Sequence, residues 1–307
     1  MSTKPTRAKL YLAIAIHQLI GAFAFPITKL GVAEAPPFTF ALFRFIVASL
    51  ILLALVGRLG DKVKITRSDG IKIAALGILI VWINQTLYIW GQSLTSASHG
   101  SLLFAFTPVF ALALSIYKLK ERFTWSRLIG AMLAVLGGVV IVSQRGVSFS
   151  ADMLLGDGMI LIAVLAWAVY TVYGKPLVQK YGAFKVTTYA TVAGTISYIP
   201  FGVIQSWDVD ILAIGLSGWL AIIYMGSALS VVAYVLWYWA IRHHDVSRIA
   251  PFHNFQPVIA TIVAYYWLGE AISGNFILGG LLVIAGVLVV ELMSNRRANK
   301  TPLAGQG

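Results

Sequence analysis

The chain has no cysteine, so a disulfide framework, a thiolate metal site and thiol catalysis are all excluded. It is also poor in charge: 11% of its 307 residues are Asp, Glu, Lys or Arg, where a soluble domain carries about 25%. Acids are the scarcer sign, 11 against 23 bases. No nucleotide-binding glycine loop, His-Glu-x-x-His or Gly-x-Ser-x-Gly occurs. The chain is therefore not expected to be an enzyme, to hold a catalytic residue or a cofactor, or to pump with an ATP site of its own. His243, His244 and Asp245 are adjacent in a loop, an arrangement that rarely converges on one ion, and no metal is expected.

What is present in abundance is apolar side chain. Hydrophobic residues make up 59% of the sequence and the mean hydropathy is +0.85. Water offers no place for so much apolar surface, whereas lipid accepts Leu, Ile, Val and Phe facing outward. The expected fold class is an all-α polytopic membrane protein. The formal charge of +12 is spread through short loops instead of gathered on one face, so a nucleic-acid partner is not expected. The partners expected are the lipid bilayer and a small molecule, with the chain a monomer or a homodimer.

Windows of about 20 residues, enough to cross about 30 Å of hydrocarbon, give ten spans, near 8–30, 37–57, 70–91, 95–117, 125–144, 154–176, 185–205, 213–240, 246–268 and 272–293. The first continues past Phe25 without a small-residue cleavage site and reads as a retained span, not a signal peptide. With the N-terminus inside, twenty of the 23 Lys and Arg residues fall in inner segments. The outer segments hold Lys29 and Arg145, and Arg44 lies within the second span. Both termini are expected in the cytoplasm.

One stretch is written twice. Shifted by 149 positions, Ser98–Val140 falls on Ser247–Val289 without a gap, with 12 identities in 43 positions. Pro108-Val109 matches Pro257-Val258, Glu121 matches Glu270, and Gly130 and Gly137 match Gly279 and Gly286. Internal repeats define the architecture. Here they give a first five-helix unit over 1–149, a second over 150–293 and a tail over 294–307. Five is odd, so the second unit enters the membrane from the opposite side. Such inverted repeats place a central site between halves that can rock to expose it to either side in turn.

Polar side chains at membrane depth are costly in hydrocarbon and mark candidate sites. They are His17 and Gln18, Asn84 and Gln85, and His253, Asn254 and Gln256. The last three correspond by the repeat to Phe104, Ala105 and Thr107, so the second half is polar where the first is nearly apolar, as an asymmetric ligand requires. Interhelical hydrogen bonds are the alternative reading. Aromatic faces form a second set: Tyr88 three residues after Gln85, Trp237 three after Tyr234, and Trp167, Tyr170 and Tyr173 at the same spacing. They suit a cavity for a flat or apolar cargo, or simple packing. Trp125, Trp207 and Trp219 read as interfacial belt residues.

Pro108 and Pro257 sit mid-span at equivalent positions and are expected as hinges or helix openings, against the plainer reading of a tolerated kink. Arg44 has three readings: a partner for a substrate carboxylate, a gating residue, or a side chain that snorkels to the headgroups. Glu121 and Glu270 are expected to cap helices or pair with loop bases. Gly130-x3-Ala134-x3-Gly138 is a stripe for close helix packing or dimerisation.

Pro36-Pro37 ahead of Phe43-Arg44-Phe45, Ser96-Ala97-Ser98 leading to Thr107-Pro108-Val109, and Leu268-Gly269-Glu270 together resemble the EamA-type repeat of the drug/metabolite transporter superfamily. At finer grain the chain is similar to the bacterial aromatic-amino-acid exporters of that superfamily. The resemblance implies export of amino acids or related metabolites by alternating access through a central cavity. One departure is Lys120-Glu121 in the first copy where the second has Gly269-Glu270. The expected substrate contacts are His17, Gln85, Tyr88, Trp167, Tyr234, Trp237, His253, Asn254 and Gln256, with Pro108, Pro257 and Arg44 in gating. A cationic drug or a nucleotide-linked metabolite is the alternative cargo, and a channel or scaffold the alternative class.

Overall fold

The computed structural model describes residues 6–95, 97–143, 150–268 and 274–298, and every regular element among them is helical. Of the sequence expectations, Gly269, Glu270, Ser96, Arg145 and residues 299–307 of the tail lie outside the described residues, as does the side chain of Pro257. In chain order the helices are α1 (Arg7–Glu34), α2 (Pro37–Leu59), α3 (Arg67–Ile78), α4 (Leu87–Leu94), α5 (Ala97–Phe104), α6 (Thr107–Leu119) and α7 (Trp125–Ser143). There follow α8 (Ala151–Tyr181), α9 (Ala183–Gln205), α10 (Leu216–Tyr224), α11 (Tyr234–His243), α12 (Val246–Ile249), α13 (Phe255–Leu268) and α14 (Gly274–Ala298). Among the described residues, five continuous helical stretches are long and apolar enough to cross a bilayer: Arg7–Glu34, Pro37–Leu59, Arg67–Leu94, Ala151–Tyr181 and Leu216–His243. Leu12, Leu50, Ile196 and Ile204 stand fully outward from them and from α9. This is the surface of a multi-pass membrane protein.

The helix starts follow local chemistry. Thr6, Thr66 and Ser150 each accept a hydrogen bond from the backbone N–H three residues on, at 3.5, 3.4 and 3.2 Å, an N-cap worth about 1 kcal/mol. Between α8 and α9 the chain reverses through Gly182 at φ +83°. That conformation strains any side chain, and a Cβ there would meet the Asp61 carboxylate at 2.5 Å. The first copy's departure from the repeat is also visible in the backbone: Lys120, standing where the second copy has Gly269, ends α6 in the left-handed region at φ 55°.

Two pairs of helices are interrupted in both halves. α3 runs into α4 through a π-helical segment, Leu79–Thr86, and α10 into α11 through another, Met225–Ala233. In each, a hydroxyl takes the carbonyl five residues earlier that the wider winding frees: Thr86 donates to Val81 O at 2.8 Å and Ser230 to Met225 O at 2.9 Å. Pro108 begins α6 after a break at 105–106. There its missing N–H falls among the first-turn groups that have no helical partner, so the proline starts a new helix and does not kink an old one. The equivalent break in the second half is longer: a 3₁₀ turn, Ala250–Asn254, carries Pro251 and leads into α13, whose first turn includes Pro257.

The glycines of the repeat explain how the halves meet. A Cβ on Gly130 of α7 would lie 2.5 Å from Gly286 O of α14, and one on Gly137 would lie 2.5 Å from Gly279 O. Gly130 thus faces the copy of Gly137, and Gly137 faces the copy of Gly130. Such crosswise contact is what a two-fold relation between two equivalent surfaces produces.

At one end of the bundle the basic loops are bound into acid clusters. Asp69 accepts from Lys180 at 2.7 Å, Tyr181 at 2.8 Å and Lys72 at 3.0 Å, and Asp61 pairs with Arg242 at 2.9 Å. Glu121 reaches across to the second half. It accepts from the backbone N–H groups of Val246 (3.0 Å) and Ser247 (3.3 Å) at the start of α12, from the Ser247 hydroxyl, and from Lys175 Nζ at 3.2 Å. Arg127 stands 3.6 Å from Glu121 and 2.8 Å from Asp245. The capping role and the pairing expected of Glu121 are both present. At the opposite end Glu34 holds the start of α10 through Ser217 and, at 3.3 Å, Gly218 N. There Lys29 donates to the carbonyls of Gln92 and Ser93 in the last turn of α4 and to that of Thr95 just past its end.

Candidate functional site

α1 is the spine of the site. From His17 onward Gly21, Ala24, Phe25 and Thr28 recur at helical spacing along one face, and all are buried. This face meets the two interrupted helices. The first π segment brings Asn84 and Gln85 inward, and α4 follows with Tyr88. The 3₁₀ turn of the second half brings His253 and Asn254, and α13 follows with Gln256. α8 contributes Trp167, and the second π segment leads into Tyr234 and Trp237 of α11. Irregular helix next to a cavity is where a membrane protein can tolerate it, because the freed backbone groups face protein instead of lipid.

Between these elements is a cavity of about 40 Å³. Seven of the nine predicted contacts line it: His17, Gln85, Tyr88, Trp167, Tyr234, His253 and Gln256. The wall is completed by Gly21, Ala24, Phe25, Phe104 and Leu229, and no Asp or Glu is among the lining residues. Trp237 stands directly behind. Its ring lies 4.4 Å from His253, edge to face, and 5.0 Å from His17, stacked, and its Nε1–H donates to Thr171 at 3.0 Å. Trp167 is 5.1 Å from Tyr234 and 6.2 Å from Trp237. Two histidines and three aromatic rings therefore form one contiguous cluster, with His17 and His253 5.2 Å apart. Asn254 is fully buried beside it, outside the cavity lining.

Several polar atoms of this cluster are buried without a hydrogen-bond partner: His17 Nε2, His253 Nδ1, Gln85 Oε1, Trp167 Nε1, the Tyr234 hydroxyl and both side-chain atoms of Asn254. His17 Nδ1 is fixed by Ala233 O at 2.9 Å, so its Nε2 is the free nitrogen. Asn84 is structural, donating to Ala163 O at 2.6 Å and accepting from Gln85. A buried polar atom left unsatisfied costs about 1–3 kcal/mol, and several around one space form a recognition surface for a ligand carrying both donors and acceptors.

Other predicted positions lie elsewhere. Tyr173 is 37% exposed with Lys118 Nζ 5.0 Å above its ring. Tyr170 faces Tyr238 in a stack at 4.6 Å. Gln18 is buried on α1 away from the cavity lining. Asp245 of the His-His-Asp run pairs with Arg127. Arg44 does not snorkel: it is fully buried on α2, about 10 Å along the helix from its start.

The chain matches the EamA-like transporter family over residues 8–143 and again over 154–292. It belongs to that family. The transporter is 30% identical over 281 residues to an uncharacterised transporter of Archaeoglobus fulgidus, an alignment covering 91% of this chain and 96% of the relative. It is 29% identical over 297 residues to a protein of Streptantibioticus cattleyicolor named "probable terminal-alkyne amino-acid exporter", covering 96% and 98% of the two chains. A crystal structure superposes on it with a TM-score of 0.77 at 18% identity, over 95% of this chain and 99% of that one, which shows that the fold is shared.

The residues that sequence reasoning missed in the transporter are the quiet ones. Gly21 leaves room for the Gln256 amide, which a Cβ would meet. Phe25 and Phe104 pack edge to face on Tyr88, at 5.9 and 5.5 Å. Helical spacing from His17 would have found Gly21 and Phe25, since both stand on its face of α1. No such signal marks Leu229, one apolar residue in an apolar helix.

Proposed function

We propose that the transporter exports neutral amino acids, aromatic ones among them, and related metabolites across a bacterial inner membrane. It crosses ten times with both termini in the cytoplasm and works by alternating access of the central cavity. The observation that carries this reading is the ring cluster of His17, Trp167, Tyr234, Trp237 and His253 around one cavity, with unpaired polar atoms on the same wall. Aromatic walls hold a flat or apolar side chain by stacking, and the polar atoms suit a zwitterionic backbone. The Streptantibioticus relative bears the name of an amino-acid exporter, which supports the same class. The absence of any acid from the lining disfavours a cationic drug.

The cavity of about 40 Å³ is a few times the roughly 10–15 Å³ that one water needs, room for a few waters at most. An amino acid therefore enters only when the halves separate. Cross-half bonds at both ends, Glu121 with α12 and Glu34 with α10, are the contacts such a movement would break in turn.

Counterflow in proteoliposomes tests the proposal. Vesicles preloaded with unlabelled phenylalanine are expected to take up labelled phenylalanine and tryptophan saturably and transiently. Absence of exchange with every neutral amino acid, in protein shown to be folded, would remove the substrate assignment.

A further inference from the structure

Arg44 is a buried charged residue near the site whose chemistry the proposed function leaves unused. Its side chain is completely buried, and its Nε donates to Ser230 Oγ at 3.1 Å. The two terminal nitrogens have no hydrogen-bond partner, and no carboxylate of a described residue pairs with the guanidinium. The charge lies 5.1 Å over the Phe45 ring, and its polar neighbours are Tyr88 and Tyr234, the Tyr234 hydroxyl making a weak contact with the guanidinium that falls short of hydrogen-bond geometry. Both tyrosines line the cavity. The Tyr234 hydroxyl is itself without a partner, while that of Tyr88 makes a long bond of 3.4 Å to Thr28.

The guanidinium thus stands beside two tyrosines of the cavity wall, itself outside the lining, with no carboxylate to complete it. A buried, uncompensated guanidinium is strongly unfavourable unless something anionic completes it, and its free edge is the planar fork that takes a carboxylate through two parallel bonds. The second π segment sets this geometry. Ser230 turns its hydroxyl hydrogen to Met225 O and accepts from Nε, so the guanidinium is held by one edge with the other buried and unpaired.

We propose that Arg44, with the hydroxyls of Tyr234 and Tyr88 beside it, is the carboxylate anchor of the transported molecule. It orients the cargo with its carboxylate toward α2 and its side chain toward the cluster of His17, Trp167 and Trp237. Arg44 is then a specificity residue: the transporter selects carboxylate-bearing molecules and rejects the matching amines. The inference rests on the proposed transport function and names the part of the substrate that is read.

The test is ligand binding to the purified, detergent-solubilised transporter, followed through tryptophan fluorescence, with 3-phenylpropionate and phenethylamine as probes that differ in the charged group. The wild-type protein is expected to bind 3-phenylpropionate about tenfold or more tightly than phenethylamine, as charge-assisted bonds to a carboxylate require. Arg44→Gln is expected to erase that preference by weakening the acid and leaving the amine unchanged. Arg44→Lys, which keeps the charge and loses the fork, is expected to retain part of it. Equal binding of the two probes by wild type, or an Arg44→Gln protein that folds and keeps the wild-type preference, overturns the anchor. Should neither variant fold, the wild-type comparison alone decides. Carboxylate preference without amino-acid counterflow would leave the anchor standing and remove the proposed cargo. Counterflow of phenylalanine with no preference for 3-phenylpropionate over phenethylamine would do the reverse.

Discussion

Trp237→Ala is expected to abolish phenylalanine exchange and to destabilise the protein by about 3–5 kcal/mol, the usual range for removing a buried large aromatic. Trp237 is 1% exposed and packs on His17, His253 and Trp167. Its loss leaves a void behind both histidines and strips the Thr171 hydroxyl of its donor. The His253 ring would then lose its edge-to-face packing at 4.4 Å and the His17 ring its stacking partner at 5.0 Å, leaving His17 held by its bond to Ala233 O. Trp237→Phe separates the effects: it keeps most of the ring contact and loses the hydrogen bond, at about 1 kcal/mol, and is expected to retain measurable exchange. Thermal unfolding in detergent and counterflow rates on the same preparations distinguish the two variants. Wild-type exchange by a folded Trp237→Ala protein would show that the cluster is packing alone.

Glu121→Ala has the next largest expected effect, and it acts at the end of the bundle instead of the centre. The Glu121 side chain is 6% exposed, and those of Lys175 and Arg127 are 10% and 11% exposed. Removing the acid leaves two nearly buried cations with Asp245 as their remaining acid, at 3.8 and 2.8 Å, and uncaps the Val246 and Ser247 amides. Deleting one partner of a buried pair costs about 3–5 kcal/mol. The expected outcome is a large fall in thermal stability, with Glu121→Gln intermediate because the amide oxygen still accepts from one backbone N–H while the charge is lost. Equal stability of wild type and Glu121→Ala would mean that the halves are not held at this end by Glu121.

The sequence made legible whatever an apolar background throws into relief. His17, Gln85, His253 and Gln256 stood out because a polar side chain at membrane depth has to be explained, and the cavity collects all four. The repeat marked Gly130 and Gly137, and their crosswise contacts with Gly286 and Gly279 follow from it. Spacing was less reliable. Trp167, Tyr170 and Tyr173 step three residues each, but two such steps turn about 120° around a helix of 3.6 residues per turn. Trp167 therefore lines the cavity while Tyr173 faces out. The π segments were invisible, because Leu79–Thr86 and Met225–Ala233 have the hydropathy of any span. So was the fate of Arg44: sequence places it at a depth but does not say whether it faces lipid or the interior, and burial decides that.

The absence of cysteine, which excluded so much chemistry, also supplies the most direct test of alternating access, because a single introduced thiol is the only one in the chain. Leu229 lines the cavity, carries no polar role and lies on the second π segment. Leu229→Cys in oriented membrane vesicles is to be labelled with a membrane-impermeant maleimide added from one side or the other, with and without phenylalanine. The account predicts labelling from each side separately, and slower labelling from both when phenylalanine is present. A thiol reached from one side only, or from both with no protection by phenylalanine or any other neutral amino acid, would contradict a central cavity that opens in turn to the two sides of the membrane around its cargo.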